Sequence, residues 1–304
     1  MPATPTIGNW VSLVLLGLLW GASFLGIAFA LEGFGPLTVA AGRITIAAVA
    51  LGAAAVAMRV PMPRPDDARG RRVLGFAIAM GLLSNVIPFF LLAWAQQHVT
   101  SGFAGVSMAA IPLFVMALAH FLVAGEAMTR LKAAGFALGL GGVVVLIGPG
   151  ALASTGAEAE AMARVLCFAA AASYALGAIV TRRCPAVHPV AFGVIAMIAA
   201  SAMIAPVALA VEGAPHWPGS ARPVLALVYL GLGSTAAATL LLVHVIRTAG
   251  PSFLSQVNYH VPVWSVVLGA LVLSETLPPQ FLFAAALILG GLALSRWRLR
   301  PLPA

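Results

Sequence analysis

Gly81-Leu82-Leu83-Ser84-Asn85 and Gly231-Leu232-Gly233-Ser234-Thr235 repeat each other in pattern within one chain, about 150 residues apart. Other segments keep nearly the same offset. Ile111-Pro112-Leu113-Phe114 meets Val261-Pro262-Val263-Trp264, and Ser23-Phe24 meets Ser173-Tyr174. Leu122-Val123-Ala124-Gly125-Glu126 meets Leu271-Val272-Leu273-Ser274-Glu275 with one residue dropped. The chain therefore reads as two copies of one unit, residues 1–150 and 151–304.

The solvent of that unit follows from composition. Of 304 residues, 62% are hydrophobic and 8% charged, against roughly 25% charged in a soluble domain. So few charges cannot cover a water-facing surface, and the bilayer must solvate most of the chain. A span needs roughly 20 apolar residues. Ten segments qualify: 10–30, 36–58, 73–95, 101–124, 131–148, 163–181, 188–211, 223–246, 252–273 and 279–296. The run from Trp10 to Ala30 lacks a basic leader segment and is long enough to span, so it is expected to be a retained helix rather than a secretory signal. The longest loops, Arg59 to Arg72 and Pro149 to Met162, leave no room for a soluble domain, and the second is the expected hinge between the copies.

The net charge of +8 does not indicate nucleic acid, because the basic residues fall in alternate loops. One side collects Arg59, Arg64, Arg69, Arg71, Arg72, Arg130, Lys132, Arg182, Arg183, Arg247, Arg296, Arg298 and Arg300. The other holds Arg164 and Arg222 with Glu32, Glu158, Glu160, Glu212 and Glu275. The basic side is expected to be cytoplasmic and to carry both termini, in a bacterial inner membrane. With five spans per copy, the second copy must enter the membrane upside down. The expected fold is an all-α membrane protein of ten helices in two inverted five-helix repeats, an arrangement that builds two similar gates around one central site.

The prolines point to that site. Pro112 and Pro262 fall near the centres of the fourth and ninth spans, where each removes a backbone hydrogen bond. Interrupted spans at matching positions mark the binding region of inverted-repeat carriers. Turning each residue by about 100° sorts the polar groups into stripes. Asn85 and Phe89 share one on the third span, and Thr235 and Thr239 share its counterpart on the eighth. Trp20, Ser23 and Phe24 fall together on the first, with Tyr174 in the equivalent place on the sixth. The ninth span has two polar faces. One carries Ser255, Asn258, Pro262 and Ser265, and the other Gln256, Tyr259 and His260. One face is expected to line the cavity and the other to pack; the pattern leaves open which.

Arg43 lies about seven residues inside the second span, where its long stem suits an anchor in the outer headgroups, with a carboxylate-binding group as the alternative. Glu126 and Glu275 end the fourth and ninth spans on opposite faces and are expected to act in gates or as caps of the fifth and tenth. Those two spans are nearly devoid of polar side chains but rich in glycine, which suits close packing and would permit a homodimer through them.

Trp20-Gly21-Ala22-Ser23-Phe24, Arg43, and the paired segments Pro112 through Glu126 and Pro262 through Glu275 resemble the EamA family of the drug/metabolite transporter superfamily. The resemblance covers nearly the whole chain. It implies ten helices, cytoplasmic termini, a peripheral place for helices five and ten, and export of amino acids, aromatic ones included, or related metabolites. The second copy departs from the pattern, with Ala170-Ala171 in place of Trp-Gly.

The expected activity is export of small metabolites, amino acids first, by alternating access, with membrane lipid as a further partner. A sugar-phosphate exchanger is the alternative within transport; a membrane-embedded enzyme or a lipid-interacting scaffold is the alternative outside it. The sequence holds no HExxH and no mid-span acid, and neither Cys167 nor Cys184 belongs to a CxxC pair, so neither a metal nor another cofactor is expected. Without a buried carboxylate, facilitated diffusion or exchange is favoured over ion coupling, unless His260 titrates.

Overall fold

The computed structural model describes residues 5–123, 128–147, 158–276 and 279–296. Among them the chain forms ten helical spans and no strand. These are α1 Ile7–Ala30, α2 Pro36–Ala57, α3 Ala68–Ala95, α4 Ser101–Leu122, α5 Arg130–Ile147, α6 Glu158–Arg182, α7 Pro189–Glu212, α8 Ala221–Ala249, α9 Val257–Leu273 and α10 Pro279–Arg296. Seven are long and apolar enough to cross a membrane, and α9 and α10 are shorter apolar helices. α5 has 18 residues, a length of about 27 Å against a hydrocarbon core of roughly 30 Å.

At the starts of α1 and α3 a polar cap carries the helix ahead of its apolar run. Thr6 and Asn9 form a capping box that starts α1 at Ile7. Asp67 accepts from the Gly70 amide and starts α3 at Ala68, ahead of the apolar run from Val73.

The two copies are inverted, and three pairs of equivalent helices show it. α2 meets α7 with Thr38 on Glu212 and Thr45 on Ser201. α4 meets α9 with Ser101 beside Gly269 and Gly105 against Ser265. α5 meets α10 with Gly135 against Gly291 and Gly142 against Ala284. In each pair the numbers rise on one helix as they fall on the other, so equivalent helices run antiparallel. A pair of copies inserted in the same sense would have made them parallel.

The packing depends on small residues, as expected where lipid offers no hydrophobic drive between helices. α2 and α7 share an alanine-rich seam with Ile44, Leu51, Met197 and Ile204. α5 and α10 pack chiefly on each other, and a methyl group on Gly135 would lie 2.5 Å from the carbonyl oxygen of Gly291. Gly139 faces Leu113 of α4, whereas Gly141 has nothing within 4 Å and Gly290 only Leu138 at 4.0 Å.

Two spans carry a matched irregularity. Leu82–Val86 in α3 and Leu232–Ala237 in α8 widen into π-helical turns, each directly after a glycine. The glycines are required for close approach: a methyl on Gly81 would sit 2.5 Å from the Ala196 carbonyl oxygen, and one on Gly231 2.5 Å from Ile46 Cβ. Such turns recur at functional sites. The prolines also act locally. Before Pro112 the chain tightens into a 3₁₀ turn, Met108–Ala110, and the Ile111 amide takes the Met108 carbonyl that proline cannot. In α9 the break falls ahead of Pro262, at Ser255 and Gln256, where the Asn258 side chain donates to the Ser255 carbonyl.

Candidate binding site and gates

Arg43 is the only charged side chain buried within the bundle among the described residues, at 5% exposed. It does not reach for the headgroups. Its Nε donates to Thr235 Oγ1 at 2.8 Å, and its guanidinium carbon lies 3.8 Å from the centre of the Phe89 ring. Thr235 is available as acceptor because its own proton goes to the Leu230 carbonyl at 2.7 Å, within the π turn of α8. Thr239 donates to the Thr235 carbonyl one turn on. Tyr174 of α6 packs on the same cluster as Phe89, and it and Tyr229 lie within electrostatic range of the guanidinium. Asn85 is buried one turn before Phe89, its amide making one long contact, 3.7 Å to Met80 Sδ.

The structure thus gathers Phe89, Tyr174 and Thr235, with Thr239 adjoining and Asn85 one turn away on α3, around a residue for which sequence reasoning favoured a headgroup anchor over a carboxylate-binding group. A signal for Arg43 existed: it is the one cation placed well inside a span, and such residues are functional candidates by default.

A second region is a cavity of about 440 Å³ that opens toward the basic face between α4, α6, α9 and α10. Pro112, Val115, Ala178, Ser255 and Asn258 line it, with Lys132 and Arg182 at its rim. The first polar face of α9 is divided: Ser255 and Asn258 meet the hollow, while Ser265 packs against Gly105. On the other face, His260 packs its Cβ against Gly17 of α1. Gln256 and Tyr259 are half-buried on that second face. Pro262 is buried and its carbonyl accepts from Ser265. On α1, Ser23 spends its hydroxyl on the Trp20 carbonyl at 2.6 Å, Trp20 is half-buried, and Phe24 is buried beside Gly105.

The acidic face carries carboxylate straps, beside a second hollow of about 430 Å³ between α1 and α8 lined by Phe29, Arg222 and Tyr229. Glu275 accepts from the amides of Ser101 and Gly102, at 2.7 and 3.0 Å. It therefore caps α4, not α10 as the sequence suggested. The reason is the left-handed Ser274, φ 53°, which folds the chain back so that the Glu275 amide bonds the Gly269 carbonyl. Glu212 caps α2 in the same way, through the amides of Leu37 and Thr38, and Arg222 pairs with Glu32 across α8 and α1 at 2.5 Å. Glu212 went unassigned in the sequence because it lies outside the repeated motifs. Glu126 lies outside the described residues, as does the junction between residues 150 and 151.

Comparison with known proteins agrees with this architecture. The profile of the EamA-like transporter family matches residues 8–148 and 161–297, once in each copy. The chain belongs to the EamA-like transporter family. Among EamA-like relatives, the "probable terminal-alkyne amino-acid exporter" of Streptantibioticus cattleyicolor is 33% identical over 135 residues, 44% of this chain and 43% of that one. The chain thus spans less than half the length of that relative. The "uncharacterized inner membrane transporter YedA" of Escherichia coli is 28% identical over 88% of this chain and 83% of its own. The "probable amino-acid metabolite efflux pump" of Salmonella typhimurium is 29% identical over 92% and 91%. A solved crystal structure superposes with a TM-score of 0.65 at 22% identity, over 95% of this chain and 97% of that one. At that identity it speaks for the shared fold alone.

Proposed function

We propose that this EamA-family protein exports small metabolites across the inner membrane by alternating access, with amino acids and their derivatives as the substrate class. The observation that carries the reading is the inverted pair of halves, with a hollow between α4, α6, α9 and α10 at the basic face and carboxylate straps joining the halves at the other. Inverted halves around a hollow are the form of an alternating-access carrier. The basic face is taken as cytoplasmic, so the hollow is where a cytoplasmic substrate enters. The names of the exporter relatives support the same substrate class. Phe89 and Tyr174 suit an apolar or aromatic side chain. Because no described acid is buried within a span, uniport or exchange is favoured over coupling to protons or sodium.

Counterflow into proteoliposomes preloaded with unlabelled amino acids tests the proposal. Radiolabelled amino acids with apolar or aromatic side chains are expected to accumulate above protein-free vesicles, with no dependence on an imposed pH gradient. Absence of counterflow for every amino acid in the panel would overturn the assignment. Dependence on the pH gradient that disappears in His260→Ala would overturn the uncoupled mechanism alone.

A further inference from the structure

We propose that Arg43 is an anion-binding subsite, and that it holds one carboxylate of the transported molecule by the outer edge of its guanidinium. This deepens the transport reading above and rests on it for the word transported. The anion site itself stands on geometry.

The guanidinium has five N–H donors. Among the described residues its only hydrogen bond is from Nε to Thr235. No protein group takes the four donors on the two terminal nitrogens, although the side chain is 5% exposed. No described carboxylate pairs with it: the described ion pairs are Arg164 with Glu160 and Arg222 with Glu32. A buried cation without an anion is costly, so its retention needs a reason.

Packing does not supply one. The π turns of the two halves pack on equivalent carbonyls, Gly81 on that of Ala196 and Gly231 on that of Arg43. Ala196 is therefore the counterpart of Arg43 in the inverted copy. It is fully buried and makes the same helix–helix approach with a methyl group. The guanidinium is an addition in one half only, not part of the repeated scaffold.

The head is also oriented. Thr235 holds Nε, and Phe89 covers one face of the plane. With Nε engaged, the edge bearing both terminal nitrogens remains for a planar two-oxygen ligand, the geometry in which arginine grips a carboxylate. One buried cation pairs with one carboxylate group, which selects a monocarboxylate, free or as part of an amino acid, over a phosphate dianion. The Phe89 ring would lie along an apolar substituent.

The test is ligand-dependent thermal stabilisation of the purified full chain in detergent. The probes are L-phenylalanine, 3-phenylpropionate, phenylalanine amide and phenethylamine, with leucine and its amide as an aliphatic pair. The carboxylates are expected to raise the melting temperature of the wild type by about 3 °C or more at saturating concentration, and the amides and amine by far less. In Arg43→Gln the carboxylates should bind at least about thirtyfold more weakly. Arg43→Lys keeps the charge without the fork and should fall between. If Arg43→Gln does not fold, Arg43→Lys decides, by weakening the preference for acid over amide.

Three results would overturn the proposal: equal stabilisation by acids and amides, no stabilisation by any carboxylate probe, or an acid preference undiminished by loss of the guanidinium. The two proposals fail separately. A chain that binds carboxylates through Arg43 yet shows no counterflow keeps the anion site and loses the carrier. A chain whose counterflow ignores Arg43 does the reverse.

Discussion

At the scale of single residues, the decisive group is Thr235, because it sets where Arg43 points. Its hydroxyl has one proton and two lone pairs; the proton is spent on Leu230 and a lone pair receives Arg43 Nε. Valine has the same shape and neither function. Thr235→Val therefore leaves a buried charged donor unpaired, at a cost of about 1–3 kcal/mol, whereas Thr235→Ser keeps both bonds. Thermal unfolding in detergent should place the serine variant near the wild type and the valine variant a few degrees lower. Equal melting temperatures for all three would mean that Nε finds another partner. The sequence pointed to Thr235 but not to this pairing. A long arginine stem can reach the headgroups or a neighbouring helix, and only the position of α8 beside α2 chooses between them.

At the scale of elements, the π turns of α3 and α8 do for the site what a regular helix cannot. They widen the backbone beside Asn85 and Thr235, and they form where a glycine lets a neighbouring helix come close. On Gly231, a Cβ would sit 2.5 Å from Ile46 Cβ, an atom too near its backbone to swing aside. Gly231→Val should destabilise the chain by about 1–3 kcal/mol through overpacking, seen as a lower melting temperature. Gly52, whose Cβ position meets nothing within 4 Å, should accept alanine without loss, since alanine also favours the helix; a loss there as large as at Gly231 would show that the close α8–α2 contact is not what sets the cost. The ten spans were legible because a chain with so few charges has little choice about where it crosses lipid. The repeat and its inversion were legible from matched motifs and an odd number of spans. The π turns were not, because the motif Gly-Leu-Leu-Ser-Asn is compatible with an ordinary helix and the extra backbone width comes from packing. The lining face of α9 was equally hidden: Asn258 and His260 are alike as polar residues, and Gly17 on a distant helix decides which of them packs.

At the scale of the whole molecule, the straps divide unequally between the faces, and this sets what should happen when one is cut. The cavity opens at the basic face, while at the acidic face Glu275 joins the end of α9 to the start of α4. Both helices carry a proline, α4 tightens into a 3₁₀ turn beside Pro112, and a break at Ser255 and Gln256 precedes α9, so each can move one half relative to the other. The contact that must part for the acidic face to open lies just inside the strap, where Gly105 meets Ser265. Glu275→Gln keeps the shape and removes the charge that favours the helix N-terminus. The loss, about 1–2 kcal/mol, falls on the closed state alone if the carboxylate leaves α4 on opening. Since 1.4 kcal/mol is a factor of ten in an equilibrium, the acidic face should open roughly 5–30 times more often. A cysteine at the seam reads this directly. In a background with Cys167 and Cys184 replaced by serine, Ser265→Cys is expected to react slowly with a membrane-impermeant maleimide applied from the acidic side. Adding Glu275→Gln should raise that rate by the same factor, while Glu32→Gln, which cuts the more exposed strap to Arg222, should change it little because surface ion pairs contribute little. Identical labelling rates with and without the Glu275 carboxylate would show that the face is held by the α4–α9 seam itself, with the carboxylate serving only to cap α4.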